Sequence, residues 1–127
     1  MAIPYDVEAV RNFEITGTQF HLGYLDANEA AYLDQEFSKV EMRGNGENFQ
    51  PEIKIDISGK QLEAVRLKLK GADNFGDVRF DFIDKQYPFG KRKVLNEKSL
   101  NFVKPFIAVL GQEIISQSSL SEDAEKN

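Results

Sequence analysis

The chain has 127 residues, with 16 Lys and Arg against 21 Asp and Glu and a formal net charge of -5, a length that suits one domain. Its 41% hydrophobic residues suffice for a core. The absence of cysteine excludes a disulfide framework, a thiol nucleophile and a zinc–thiolate centre, and a lone histidine, His21, excludes a multi-histidine metal site. No apolar run approaches the ~18 residues of a membrane span, and Met1-Ala-Ile-Pro-Tyr-Asp6 lacks the basic-then-apolar start of an export leader. The expectation is a soluble cytoplasmic protein without membrane contact.

Residues 1–9, with Pro4 and little periodicity, read as an N-terminal arm. From Val10 the pattern is strand-like: Phe13 and Ile15 alternate with polar neighbours, the phase slips at Gly17, and Phe20, Leu22 and Tyr24 alternate again. A glycine at such a slip predicts a bulge or a sharply bent long strand. Asp26 to Ser38 reads as a short helix, with Asp26 and Glu29 spaced as a capping box and Ala30, Leu33 and Phe37 on one face. A strand over 36–43 follows, carrying Val40 and Met42, and Gly44 to Asn48 has the composition of a turn.

Ile53, Ile55 and Ile57 alternate with Lys54 and Asp56, which predicts a half-buried strand. Residues 62–70 fit two patterns. Leu62, Val65 and Leu69 suit a helix, whereas Val65, Leu67 and Leu69 against Arg66, Lys68 and Lys70 suit a strand. The strand is preferred, because its polar face would be wholly basic and solvated. Val78, Phe80 and Phe82 predict another strand, residues 86–93 a basic loop, and 101–110 an edge strand interrupted by Pro105. Residues 116–127 read as a flexible acidic tail. Five to six strands with one short helix over 10–115 predict a mainly β domain, a small OB-fold-like barrel, with a β-sandwich or SH3-like barrel as alternatives.

The charge is divided along the chain. Residues 1–52 hold three basic and ten acidic side chains, residues 53–112 twelve and seven, and residues 113–127 one and four. The basic centre also carries aromatics: Arg66, Lys68, Lys70 and Arg79 lie on adjacent predicted strands, and Tyr87 and Phe89 sit beside Lys91, Arg92 and Lys93. Cations that follow phosphates beside rings that stack on bases are the equipment of sequence-tolerant single-strand binders. These nine residues are therefore the candidate nucleic-acid-binding set. Catalysis is not expected. His21 reads as a surface residue, the aspartates from Asp73 to Asp84 read as solvated, and no phosphate-cradling, dinucleotide or EF-hand motif occurs to imply a cofactor or metal.

Residues 53–110, with Ile53-Lys-Ile-Asp-Ile57, then Phe75-Gly-Asp-Val-Arg-Phe-Asp-Phe82, then Lys104-Pro-Phe106, resemble the small OB-like accessory proteins of Gram-positive conjugative plasmids, integrative elements and phages. The resemblance implies a non-catalytic single-stranded DNA-binding protein of plasmid transfer or phage replication, with RNA as the other single strand such a surface would take. The C-terminus departs from bacterial single-strand-binding tails, since Ser121-Glu-Asp-Ala-Glu125 ends in Lys126-Asn127 rather than in an apolar residue. The alternative is a protein-interaction or assembly module of a mobile element, acting through the acidic helix that bears Glu29, Asp34 and Glu36. Acidic and basic halves of neighbouring copies would then join head to tail along a strand, with Ile3 and Tyr5 of the arm reaching a neighbour.

Overall fold

Asp26 leaves an extended segment (φ -80°, ψ 174°) and closes a capping box, its carboxylate accepting from the Glu29 amide while the Glu29 side chain accepts from the Asp26 amide. Helix α1, Ala27–Glu36, therefore starts where the sequence places it. Asp56 does the same for α2, Ile57–Lys68, by accepting from the Gly59 amide at 3.0 Å. That cap ends the strand two residues before Ile57 and converts 57–68 into helix, so the strand preference for 62–70 is overturned.

The computed structural model describes residues 10–44 and 50–126. The strands are β1 Val10–Ile15, β2 Thr18–Gly23, β3 Ser38–Arg43, β4 Gln50–Ile55, β5 Leu69–Asp73, β6 Phe82–Tyr87 and β7 Gly90–Leu95. Beside α1 and α2 stand α3, Glu97–Phe102, and α4, Ile107–Lys126, with a 3-10 turn over Lys104–Phe106 between them. The strands form three separate small sheets, β1-β2-β5, β3-β4 and β6-β7. The expected mainly β, OB-fold-like barrel with one helix is thus incorrect: among the described residues the fold is mixed α/β, with four helices and no closed barrel.

The reasons lie in local chemistry. Thr16 and Gly17 both adopt positive φ, 45° and 88°, which makes a two-residue hairpin turn between β1 and β2 instead of one bent strand. The irregularity occurs further on, where β2 pairs with β5 and Lys70 is passed over between Gly71 opposite His21 and Leu69 opposite Leu22. Residues 78–81 are not strand, and the expected basic loop 86–93 is largely the β6–β7 hairpin. Pro105 sits in the 3-10 turn that leads into α4, where its missing amide hydrogen loses no helical bond. The segment 116–126, expected as an acidic tail, falls within α4. The arm, residues 1–9, lies outside the described residues, as does most of the expected turn over 44–48.

The core gathers Phe20 and Leu22 of β2, Leu33 of α1, Val65 and Leu67 of α2, Leu69 of β5, Val94 and Leu95 of β7, and Leu110 and Ile114 of α4. Each such side chain contributes about 1.5–3 kcal/mol by leaving water. Helices α2 and α4 are packed together so closely that a Cβ placed on Gly111 would lie 2.6 Å from the carbonyl oxygen of Gln61. Among the described residues no helix is long and apolar enough to cross a membrane.

Candidate functional site

Two buried carboxylates organise the cations that the sequence assigns to a binding surface. Glu63, on α2, accepts from the Tyr87 hydroxyl at 2.5 Å, pairs with Arg66 one turn along the helix, and has Lys85 at 3.7 Å. Arg66 spans on to Glu97 at 3.0 Å. Burial and the bond to Glu63 push the Tyr87 phenol far above its ordinary range. Burial alone would lower Arg66, but Glu63 and Glu97 outweigh it and raise it.

The second centre is Glu29, wholly buried on α1. Its carboxylate meets Lys68 at 2.8 Å and the Arg92 Nε at 3.4 Å, and Arg92 also reaches Asp26 at 3.2 Å. A buried carboxylate is tolerated only with such partners. Lys68 lies almost entirely out of solvent. The two centres share an aromatic floor: Tyr87 stacks on Phe89 with centroids 5.1 Å apart, Tyr32 meets both edge-on, and the Arg92 guanidinium lies 4.8 Å above Phe89.

Of the nine candidate residues, Arg66, Lys68 and Arg92 therefore form intramolecular ion pairs, and Tyr87 and Phe89 pack together, with Tyr87 only 3% exposed. A ring in that position offers no face to a base. Lys70 is exposed on β5 and donates to the Leu67 carbonyl. Lys91 and Lys93 project from β7 into solvent, on the face of the β6–β7 hairpin opposite to Arg92. Arg79 lies elsewhere, beside Asp77 and Asp81 near α3. Sequence adjacency and surface adjacency differ here, because a strand sends alternate side chains to opposite faces.

His21 is a tether, its Nδ1 2.6 Å from Asn12 Oδ1 and its Nε2 3.2 Å from Asp73. Among the described residues no group of His, Cys, Asp and Glu is arranged to hold a metal ion. A cleft of ≈680 Å³ lies between the helices and the β3–β4 hairpin, lined by Tyr32, Glu36, Lys39, Lys54, Glu63 and Lys85 among others. Its charges are mixed, and Glu63 within it is already committed to Tyr87 and Arg66. Burial, then Glu36 and Glu63, raise the Tyr32 phenol above its ordinary value.

The far face of the same hairpin is the feature that sequence reasoning missed. Register pairs Ser38 with Ile55 and Val40 with Ile53, so Val40, Ile53 and Ile55 share the face turned from Lys39 and Lys54. Val40 and Ile53 are each 68% exposed, Ile55 54%, and Ile57 at the start of α2 60%. Alternation did reveal the strand. It could not reveal that, among the described residues, no layer covers the apolar side.

No family model, curated protein or solved structure matches the chain.

Proposed function

We propose that the protein is a non-catalytic protein-interaction module whose docking element is the β3–β4 hairpin. The observation that carries this is the face of Val40, Ile53 and Ile55, each more than half exposed, on a sheet of only two strands. A two-stranded hairpin standing alone is marginal in water, and a contiguous exposed apolar row is the usual mark of a protein contact. The acidic helix is a poorer candidate for the docking element. Glu29 is consumed inside the fold, and Asp34 is bound to Lys60 at 2.6 Å. Single-strand binding through the nine candidate residues is disfavoured too, since it would require Tyr87 to leave the core and three cations to break their pairs.

Sedimentation velocity over a wide concentration range tests the reading. The wild-type chain is expected to associate, and Val40→Lys with Ile53→Lys is expected to remain monomeric with an unchanged circular dichroism spectrum. Those side chains bury little in the single chain, so the fold tolerates them. A wild-type chain that stays monomeric at every concentration, or association that survives the double substitution, would overturn it.

A further inference from the structure

We infer that the ≈680 Å³ cleft between the helices and the β3–β4 hairpin binds a small zwitterion of the amino-acid type. The ligand's side chain is apolar or aromatic. This site is separate from the docking face, because Lys39, which lines the cleft, points to the side of β3 opposite to Val40.

The first observation is which charges in the cleft are still available. Glu63 is held by Tyr87 and Arg66, and Asp56 accepts from the Gly59 amide. Glu36 and Lys39 differ from both: among the described residues, neither side chain belongs to an ion pair or a hydrogen bond. Glu36 ends α1, Lys39 stands near the start of β3, and both line the cleft. A simple anion entering here would be repelled by Glu36, and a simple cation by Lys39. A ligand that carries both charges satisfies both residues. Lys54 also lines the cleft but is engaged within the chain, and the site does not need it.

The second observation is the Tyr32 hydroxyl. The ring is fixed edge-on against Tyr87 and Phe89, with centroids 5.4 and 5.6 Å away. Its hydroxyl has no hydrogen-bond partner among the described residues. Burial, then Glu36 and Glu63, keep that phenol protonated, so it lines the cleft as an unused donor. Lys85 adds a second ammonium, since at 3.7 Å from Glu63 it makes no hydrogen bond there. A ligand carboxylate is thus offered Lys39, Lys85 and the Tyr32 hydroxyl, and a ligand ammonium is offered Glu36.

The third observation concerns the walls. Tyr32 and Phe37, both half-buried, line the same cleft. Small-molecule sites of about 300–1,000 Å³ combine such rings with a few polar groups that fix orientation. The volume here falls in that range and leaves room for a side chain beside the two charged groups.

Isothermal titration calorimetry of the full chain, with L-phenylalanine as probe, is expected to show one saturable site. Three analogues separate the contributions without altering the protein. N-acetyl-L-phenylalanine lacks the ammonium, L-phenylalaninamide lacks the carboxylate, and glycine lacks the ring. Each should bind at least about tenfold more weakly, since a charge-assisted hydrogen bond or the burial of a ring is lost. Matching substitutions then assign the partners. Glu36→Gln should remove most of the preference over the N-acetyl analogue, and Lys39→Gln most of the preference over the amide. Both side chains are exposed, so the circular dichroism spectrum should not change. No saturable heat with phenylalanine, equal affinities across the analogues, or preferences unchanged by both substitutions would overturn the inference. The sedimentation test of the docking face involves neither residue, so the two readings stand or fall separately.

Discussion

The Tyr87 hydroxyl donates to Glu63 across 2.5 Å, a phenol from a hairpin strand sealing the carboxylate of a helix. Both groups are buried, so neither can exchange this bond for water. Tyr87→Phe should therefore cost about 1–3 kcal/mol, the penalty for leaving a buried acceptor short of a donor. Chemical denaturation of wild type and variant checks it; equal midpoints would show that Arg66 and Lys85 suffice for Glu63.

The same bond sets an alkaline limit. Tyr87 is raised far above the ~10 of a free phenol. Its extra stability is complete below that value and diminishes as pH climbs past it, because the unfolded chain then loses a proton that the folded chain retains. Unfolding free energy should fall above about pH 10, and the Tyr87→Phe variant should fall less steeply. Ultraviolet titration of the four tyrosines should show one that ionises only as the protein unfolds. If all four titrate together in the native state, the burial of Tyr87 is refuted.

Glu29 yields a prediction of opposite character. Lys68→Met leaves the buried carboxylate with the Asp26 amide and, of its two cations, only Arg92, and should cost about 3–5 kcal/mol. Lys68→Met combined with Glu29→Leu removes both charges and should recover much of that loss, since matched apolar pairs often replace buried ion pairs without harm. Thermal melts of the two variants decide; a double variant no better than the single would mean that Glu29 has a role beyond neutralising Lys68.

Gly111 marks where α4 presses on α2. An alanine there would drive its Cβ to 2.6 Å from both the Gln61 carbonyl oxygen and Cβ, and backbone cannot yield as a flexible side chain does. Gly111→Ala should destabilise by about 1–3 kcal/mol, against the usual gain for replacing a helical glycine. A more stable variant would show the helices to be farther apart.

For nucleic acid, the enclosure of Tyr87 and the intramolecular pairing of Arg66, Lys68 and Arg92 lead us to expect no binding of labelled oligo-dT by fluorescence anisotropy at low salt. Tight, salt-sensitive binding that Tyr87→Ala with Phe89→Ala abolishes, in a folded variant, would return the function to a single-strand surface.

The capping box of α1 was legible because its signal is confined to Asp26 and Glu29. The fate of the Glu29 side chain was not: a glutamate in the first helical turn reads as solvated unless one knows that Lys68 and Arg92 arrive from other elements. Residues 62–70 show the same limit. Both patterns are visible there, and the assumption that Arg66 and Lys68 must face water favours the wrong one. In the structure both are held by carboxylates, so the argument that decided the choice did not apply. Ile53 and Ile55 were legible as strand but not as uncovered, for burial depends on which element lies opposite, and no local pattern carries that information.

Among the described residues, three of the four strand pairings join neighbours in sequence, β1 with β2, β3 with β4 and β6 with β7; the exception is β2 with β5. Hairpins close in about 1–10 μs, whereas β2 and β5 can meet only after the intervening α1, both strands of the β3–β4 hairpin and α2 have been brought round. That one long closure, completed on Phe20, Leu22 and Leu69, is the step that should govern how fast the chain folds. The β3–β4 hairpin lies inside the closed loop and none of its described side chains is among the buried core, so its surface can change sequence without slowing the search for the native state.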